Sequence, residues 1–251
     1  MDLRKGPAMS TTTYRYDAAG DVRAELKLNY ADVAITTNTT DQITIDLEGE
    51  EAAGTSVKYR FGRLEIKSPD RKALDILHRK RPRLTVRLSL PTTTALECAS
   101  VASTIELEEV SREAHFDAVS STVKASSVTA PVSIQGFKVR AELDSVSSPV
   151  EVNGAAAKVK IGEFSGALDA KGASITVDIA RVHRGDVQVE GLKAACTVGV
   201  LPGVHVHTDF DGLASSFNSS LTPRGVPQEG APVFRVKVGG KRTSLELNEV
   251  A

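Results

Sequence analysis

Two histidines near the C-terminus are spaced so that both could bind one metal ion. The segment reads Val-His-Val-His, so His205 and His207 would point outward from the same face of a strand. Asp209 and Asp211 continue this spacing, and imidazole and carboxylate groups are ordinary zinc ligands. An exposed polar strand face has the same pattern, and no further motif supports a metal. We therefore expect no metal, with His205 and His207 as the candidate ligands.

A second set of polar residues recurs every eighteen residues. His115, Ser133, Glu151 and Asp169 share this interval. If strands stack at that interval, Glu151 and Asp169 become neighbours, and such a pair can raise one pKa or hold a proton. By analogy of fold alone, this is the arrangement of polysaccharide-cleaving β-helices, which also need a groove rich in aromatic and basic residues. Aromatic residues make up 4% of the chain, so we expect no catalytic site; His115, Glu151 and Asp169 are the candidates for one.

A basic segment interrupts the strand-like pattern at residues 69–83. Asp70 could cap a short helix that Pro82 ends, and the segment concentrates positive charge. Two interpretations remain open, a solvated loop or a site that docks an anion or a protein partner. The residues that would bind the partner are Arg79, Lys80, Arg81 and Arg83.

Composition and motifs restrict the remaining chemistry. The formal net charge of the 251 residues is -1, which gives no electrostatic reason to expect nucleic acid as a partner. No phosphate-binding glycine loop, nucleophile elbow or dinucleotide motif is present, so we expect no cofactor. Cys98 and Cys196 fall on inward positions and are expected to be buried thiols. No secretory signal or membrane-spanning apolar run is present, which predicts a cytoplasmic protein.

The middle of the chain repeats with a nine-residue period that predicts the fold. In blocks of nine that start at Val101, the first, fifth and seventh positions are apolar. The fifth and seventh alternate with polar residues, as in a strand with one buried face. So strict a period is typical of solenoids, in which each unit covers its neighbour's open edge. We also expect the first-position residue to point from the connecting arc into the core.

Outward charges favour two strands per coil. Parallel strands lie about 4.8 Å apart, and charges of alternating sign at that distance are favourable. An interval of 27 residues loses the alternation, whereas an interval of eighteen keeps it through Glu106, Lys124, Glu142, Lys160 and Asp178. We therefore predict an all-β fold, a parallel β-solenoid (β-helix) with nine-residue strand units, two per coil, and capping strands at both ends.

The period divides the chain into four predicted regions. Residues 1–13 form a flexible tail, 14–91 an N-terminal β capping region with the basic loop at 69–83, 92–208 the solenoid repeats, and 209–251 the C-terminal closing coils or cap. An extra residue at Gly185 predicts a bulge, and we expect the register to be restored around Pro202.

Three segments resemble the Val-Ser-Gly-Asp-Val-x-Val unit of a bacterial β-strand-repeat family, the putative-adhesin domain of unknown function 4097. They are Val-Ser-Ser-Thr-Val-Lys-Ala (119–125), Val-Ser-Ser-Pro-Val-Glu-Val (146–152) and Phe-Ser-Gly-Ala-Leu-Asp-Ala (164–170). Flanking segments at 30–35 and 84–91 extend the resemblance to residues 14–250. It implies a β-helical fold and no established catalytic or binding residues. The Gly-Asp of the family turn is mostly replaced, and the calcium-binding nonapeptide of β-rolls is absent, so we expect no calcium.

Three functional hypotheses follow. The first is a non-enzymatic β-helical scaffold or protein-interaction module whose partner docks on a sheet face or on the basic loop. The second is an enzyme, or a protein that binds a small ligand or carbohydrate, which uses the outward His, Asp and Glu columns; a deep pocket beside them would favour it. The third is a self-assembling or adhesin-like protein. The expected partner is thus a protein or a second copy, and no small-molecule ligand is identified.

Overall fold

The computed structural model describes residues 10–18, 20–69, 84–222 and 230–250, and these residues form an all-β, mostly parallel, solenoid-like fold. A short 3-10 helix spans Ala52–Gly54. The strands in chain order are β1 Ser10–Asp17, β2 Arg23–Asn29, β3 Ala31–Asn38, β4 Gln42–Gly49, β5 Ser56–Arg60, β6 Arg63–Lys67, β7 Leu84–Pro91, β8 Ala95–Val101, β9 Thr104–Val110, β10 Ala114–Val119, β11 Thr122–Val128, β12 Val132–Phe137, β13 Val139–Val146, β14 Pro149–Phe164, β15 Ala167–Val182, β16 Gly185–Val200, β17 His205–Ser219 and β18 Val233–Glu249.

The chain alternates between two hydrogen-bonded stacks of strands. The first face contains β6, β2, β8, β10 and β12, followed by the first halves of β14, β15, β16, β18 and β17. The second face contains β7, β3, β9, β11 and β13, followed by the second halves of the same five strands. We call one strand on each face, with its two corners, a coil. Lys124 lies opposite Glu106 in one neighbouring strand and Glu142 in the other.

The core fills the space between the two faces. The fifth and seventh positions of the nine-residue pattern are buried, as the alternation predicts; Ile134, Val152 and Val159 have no exposed surface. Burying a side chain of this size stabilises the fold by about 1.5–3 kcal/mol. Both thiols, Cys98 and Cys196, are buried and unpaired, also as predicted.

The prediction for the first position is correct at only one of the two corners. Val128 and Phe164, where the chain returns from the second face to the first, are fully buried. Val119 and Phe137, at the opposite corner, are 43% and 48% exposed. The residue after each of these has a positive φ, at Ser120 and Lys138, and this tight turn directs the preceding side chain outward.

The N-terminal region adds antiparallel strands to the parallel stack. β1 pairs with β4, β4 with β7, and β5 with β6, all antiparallel. Tyr16 and Tyr59 close this end of the core, with ring centroids 5.3 Å apart. β1 begins at Ser10, so the predicted boundary of the flexible tail, residue 13, lies inside a strand because residues 10–17 pair fully with β4.

The C-terminal strands do not stack in chain order. β18 lies between β16 and β17, so β17 is outermost at this end. The predicted inward residues of β18, Phe234 to Leu247, are buried, whereas β17 is largely exposed. The extra residue predicted at Gly185 changes the pairing offset from eighteen residues between β14 and β15 to nineteen between β15 and β16. The register irregularity itself lies between Ile179 and Val182, and the offset is eighteen again where Val182 pairs with Val200, before Pro202. In the described part of the chain, no helix is long and apolar enough to cross a membrane.

Candidate ligand-binding groove

A groove of about 1010 Å³ crosses the outer surface of the first face. It follows the beginnings of the strands from β8 to β17, because side chains two residues apart in a strand point to the same side. Parallel register then aligns the same two positions of successive strands into two columns. One column contains Glu97, His115, Ser133, Glu151, Asp169, Gln188, Lys237 and Asp209; the other contains Ala95, Glu113, Pro131, Pro149, Ala167, Asp186, Arg235 and His207.

The structure brings the three candidate catalytic residues into this groove. His115 is in register with Ser133, Ser133 with Glu151, and Glu151 with Asp169. The eighteen-residue interval therefore places Glu151 and Asp169 on adjacent strands, about 4.8 Å apart along the stack. His115 Nε2 lies 3.3 Å from Asp117 Oδ1, within its own strand.

Neighbours two residues along the strand hold both carboxylates. Asn153 Nδ2 donates to Glu151 Oε1 at 2.6 Å, and Lys171 Nζ donates to Asp169 Oδ2 at 2.7 Å. The hydrogen bond to Asp169 raises the pKa of Lys171. Asp169 Oδ1 is buried and accepts no hydrogen bond from the described residues. Asp169 Oδ1 is therefore shielded from a ligand in the groove, and the catalytic role of the pair stays a prediction.

Ion pairs occupy the two ends of the groove. At one end, Arg23 Nη2 donates to Glu97 Oε2 at 2.7 Å, and this hydrogen bond lowers the pKa of Glu97. At the other end, Arg235 Nη1 lies 3.3 Å from Asp186 Oδ1 and Lys237 Nζ lies 3.7 Å from Asp209 Oδ2. Within the described chain the lining has six carboxylates and three Lys or Arg residues, a balance of -3 with neutral histidines. Lys171, beside the lining, pairs with Asp169. The remaining excess is at Glu113, near the Arg23 end, and at Glu151, in the middle of the groove.

The two candidate metal ligands line different cavities. His207 contributes to the wall of the groove, in register with Arg235. His205 is in register with Val233 and lines a smaller pocket of about 150 Å³ beside Leu221. Asp209 pairs with Lys237, and among the described residues no group of three His, Cys, Asp or Glu side chains is arranged to hold a metal.

The basic segment lies almost entirely outside the described residues. Arg79, Lys80, Arg81 and Arg83 belong to 70–83, for which the structure gives no description. Their role in partner binding stays a prediction.

Sequence reasoning missed part of the groove. Glu97 lies eighteen residues before His115, so the same interval could have added it to the column. Arg235 gave no such signal, because β18 pairs with β16 across the whole of β17. Arg23 likewise comes from β2, which pairs with β8 across 72 residues.

Comparison with known proteins identifies a family. The model of the family described as Toastrack DUF4097 matches residues 23–200. No curated protein matches the chain. A putative adhesin from Bacteroides fragilis is 13% identical, with 96% of this chain and 98% of that chain covered and a TM-score of 0.46. A putative adhesin from Parabacteroides distasonis is 12% identical, with 94% and 97% covered and a TM-score of 0.42. A putative lipid binding protein from the same species is 12% identical, with 93% and 96% covered and a TM-score of 0.43.

Proposed function

The chain belongs to the Toastrack DUF4097 family, and from this premise we propose that it is a non-enzymatic, β-helical protein-interaction module. Its building unit is a nine-residue strand, two per coil, which the eighteen-residue pairing offsets support. Its binding site is the groove of the first face, and its ligand is a basic, extended segment of a partner protein. The family implies the scaffold, so the choice of site and ligand depends on the groove.

The groove itself is the observation that carries the proposal. It crosses eight strands, and at about 4.8 Å per strand it is about 34 Å long. An extended peptide rises about 3.3 Å per residue, so roughly ten residues fill it. Pro131, Ser133, Pro149 and Ala167 provide an uncharged floor with small side chains. A polymer chain fits this shape better than a compact metabolite does.

Charge selects the type of segment. Arg23, Arg235 and Lys237 already pair with carboxylates at the ends, whereas no cation of the groove lining forms an ion pair with Glu113 or Glu151 within the described chain. Basic side chains of a bound segment beside Glu113 and Glu151 would compensate these two carboxylates. Exposed ion pairs contribute about 0.2–1 kcal/mol each, so charge gives selectivity and shape gives most of the affinity.

Fluorescence anisotropy with a labelled peptide of alternating Lys and Ser, about twelve residues long, tests this proposal. We expect the wild type to bind it and to ignore the Glu-Ser counterpart. Glu113→Gln with Glu151→Gln should weaken binding about three- to tenfold, because two ion pairs are lost. The matched control is Glu106→Gln with Glu142→Gln on the second face. Equal weakening by the control, or no binding by the wild type, would reject the groove as this site.

A carbohydrate or small-ligand site is the second candidate, favoured by the convergence of His115, Glu151 and Asp169 in the groove. Among the described residues no Phe, Tyr or Trp side chain lines the groove, which disfavours sugar stacking. A panel of neutral oligosaccharides would separate the two candidates. Oligosaccharide binding that survives Glu113→Gln but is lost with Glu151→Gln would favour this second function, and hydrolysis of the bound sugar would make it an enzyme.

The cellular location of the protein distinguishes the interaction module from the adhesin-like alternative. We propose a cytoplasmic location, on the sequence features alone. Fractionation of the native host, with an antibody to the full chain, should find the protein in the cytosol. Recovery at the cell surface would favour the adhesin-like alternative.

A further inference from the structure

The outermost strand at the C-terminal end has one unpaired edge. β17 is fifteen residues long and pairs with β18 along one side. Its other side pairs with no strand among residues 10–18, 20–69, 84–222 and 230–250. Such an edge exposes a row of backbone donors and acceptors to which another strand can be added.

The inward side of β17 leaves the end of the core partly open. Phe210 and Phe217 are in contact, with ring centroids 6.0 Å apart, yet Phe217 is 52% exposed. Leu213, at the corner between them, is 90% exposed. One layer further in, Val238 and Leu245 of β18 are 0% and 1% exposed. A strand added to β17 would therefore gain apolar contacts as well as hydrogen bonds.

The charge pattern of β17 indicates what that strand is. All of its ionisable side chains lie in the first half, at His205, His207, Asp209 and Asp211, and residues 212–219 have none. In an antiparallel pair of β17 strands, each charged half faces the uncharged half of the other copy. A parallel arrangement in register would instead put Asp209 against Asp209.

The corner geometry permits the same pairing. Inward positions are even-numbered before the corner at Gly212 (Val206, Phe210) and odd-numbered after it (Ser215, Phe217), as the partners in β18 show. Pairing Phe210 with Phe217 of a second copy therefore keeps inward side chains inward on both copies. A two-fold axis along the bisector of the corner places the first-face half of one copy on the second-face half of the other.

We propose that two copies of this chain associate through their β17 edges as a two-fold, antiparallel dimer that joins the two cores end to end. The contact is isologous, so it closes at two copies. The joint lies at the β17 end of each groove, where His207 and Asp209 form part of the wall. The pairing uses the free backbone edge of β17, so it does not depend on which ligand the groove binds.

Size-exclusion chromatography with light scattering tests the dimer on the full chain. We expect the mass to rise from 26.6 kDa towards about twice that value as concentration increases. A mass that stays at the monomer value up to about 1 mM overturns the proposal. A mass that keeps growing beyond the dimer overturns two-fold closure.

Replacing Ser216 with a negatively or a positively charged residue tests whether the two copies meet at the β17 edge. Ser216 is exposed and lies in the uncharged half, where the pairing of Phe210 with Phe217 places it opposite Asp211 of the second copy. Ser216→Asp should raise the dimer dissociation constant about five- to tenfold, since the symmetry applies the repulsion twice, and Ser216→Lys should lower it. Ser174→Asp is the matched control, because Ser174 is an exposed residue of β15, a strand that is paired on both sides. Equal effects of the two aspartates, with unchanged circular dichroism, would place the contact elsewhere.

Discussion

The corner from the first face to the second is built in two different ways along the same stack. In the coils from β8 to β13 the strand breaks at a residue with positive φ, at Ala102, Ser120 and Lys138. From β14 onward a single strand continues through the corner. The two constructions preserve the same parallel pairing, so one nine-residue apolar pattern is compatible with two local backbone paths.

Buried serines support the broken corners. Ser121 Oγ donates to the carbonyl of Val119 at 3.0 Å and accepts from the backbone N–H of Ser103 at 3.3 Å. Ser103 Oγ in turn accepts from the backbone N–H of Ala31 at 3.1 Å. These bonds satisfy backbone groups that the break leaves without strand partners. The corners at Ala102 and Ser120 thus depend on hydroxyl groups, whereas the corner at Lys138 has Val139 at the serine's position and Gly136 packed against the carbonyl of Ala118.

The continuous corners depend instead on the absence of side chains. Gly154, Gly172 and Gly191 are in register with one another and with Gly240. A Cβ on Gly172 would overlap the carbonyl oxygen of Gly154, inside the 3.0 Å that real Cβ atoms keep. The carbonyl of one coil therefore occupies the space of the next coil's side chain. The corners with stacked glycines should therefore tolerate substitution least.

Gly172→Ala should have the largest effect of the changes that separate the two constructions. We expect a loss of about 3 kcal/mol in the free energy of unfolding, because a backbone carbonyl cannot move away as a flexible side chain can. Urea unfolding followed by circular dichroism measures it. Gly239→Ala in β18 is the matched control, since its Cβ would meet nothing within 4 Å. A loss as large in the control would remove the steric explanation.

The loss of stability at alkaline pH tests the two buried thiols, one in the coils with broken corners and one in the coils with continuous corners. Burial raises the pKa of Cys98, in an early coil, and of Cys196, in a late one, to about 12. In the unfolded chain the pKa of a cysteine thiol is about 8.5. Between that pH and about pH 12 the thiol loses its proton only in the unfolded state, so the free energy of unfolding falls as the pH rises. Each thiol should therefore lower the free energy of unfolding by about 2 kcal/mol between pH 7 and pH 10.

Cys98→Ala and Cys196→Ala report on the halves separately. Each variant should show a smaller difference in unfolding free energy between pH 7 and pH 10 than the wild type, by about 2 kcal/mol. The small cavity that alanine leaves acts at both pH values and cancels in the difference. A variant that keeps the full wild-type pH dependence would mean that water reaches that thiol in the folded state.

Periodicity predicted the core because burial repeats with the strand, as at Ile134 and Val152. It failed at Val119 and Phe137 because side-chain direction there depends on the φ of the next residue, and apolarity does not encode φ. The eighteen-residue interval predicted the groove column of His115, Glu151 and Asp169. It could not predict Arg235, since the order of the last two strands follows from their relative apolarity and not from chain order.

Removal of the Ser121 hydroxyl tests the serine-supported corners and should have a smaller effect than the changes above. Ser121→Ala should cost about 1 kcal/mol, because it leaves the backbone N–H of Ser103 without its acceptor while the backbone can keep its path. Ser127→Ala should change stability little, because Ser127 lies on the same strand and its side chain forms no hydrogen bond with the residues that the structure describes. Equilibrium urea unfolding of both variants gives the difference. Adding Ser103→Ala should give a non-additive loss, since the two hydroxyls form one network. Strictly additive losses would mean that each serine stabilises its own corner independently. The serine corners would then differ from the glycine corners, which pack directly on one another, in energetic coupling as well as in side-chain volume.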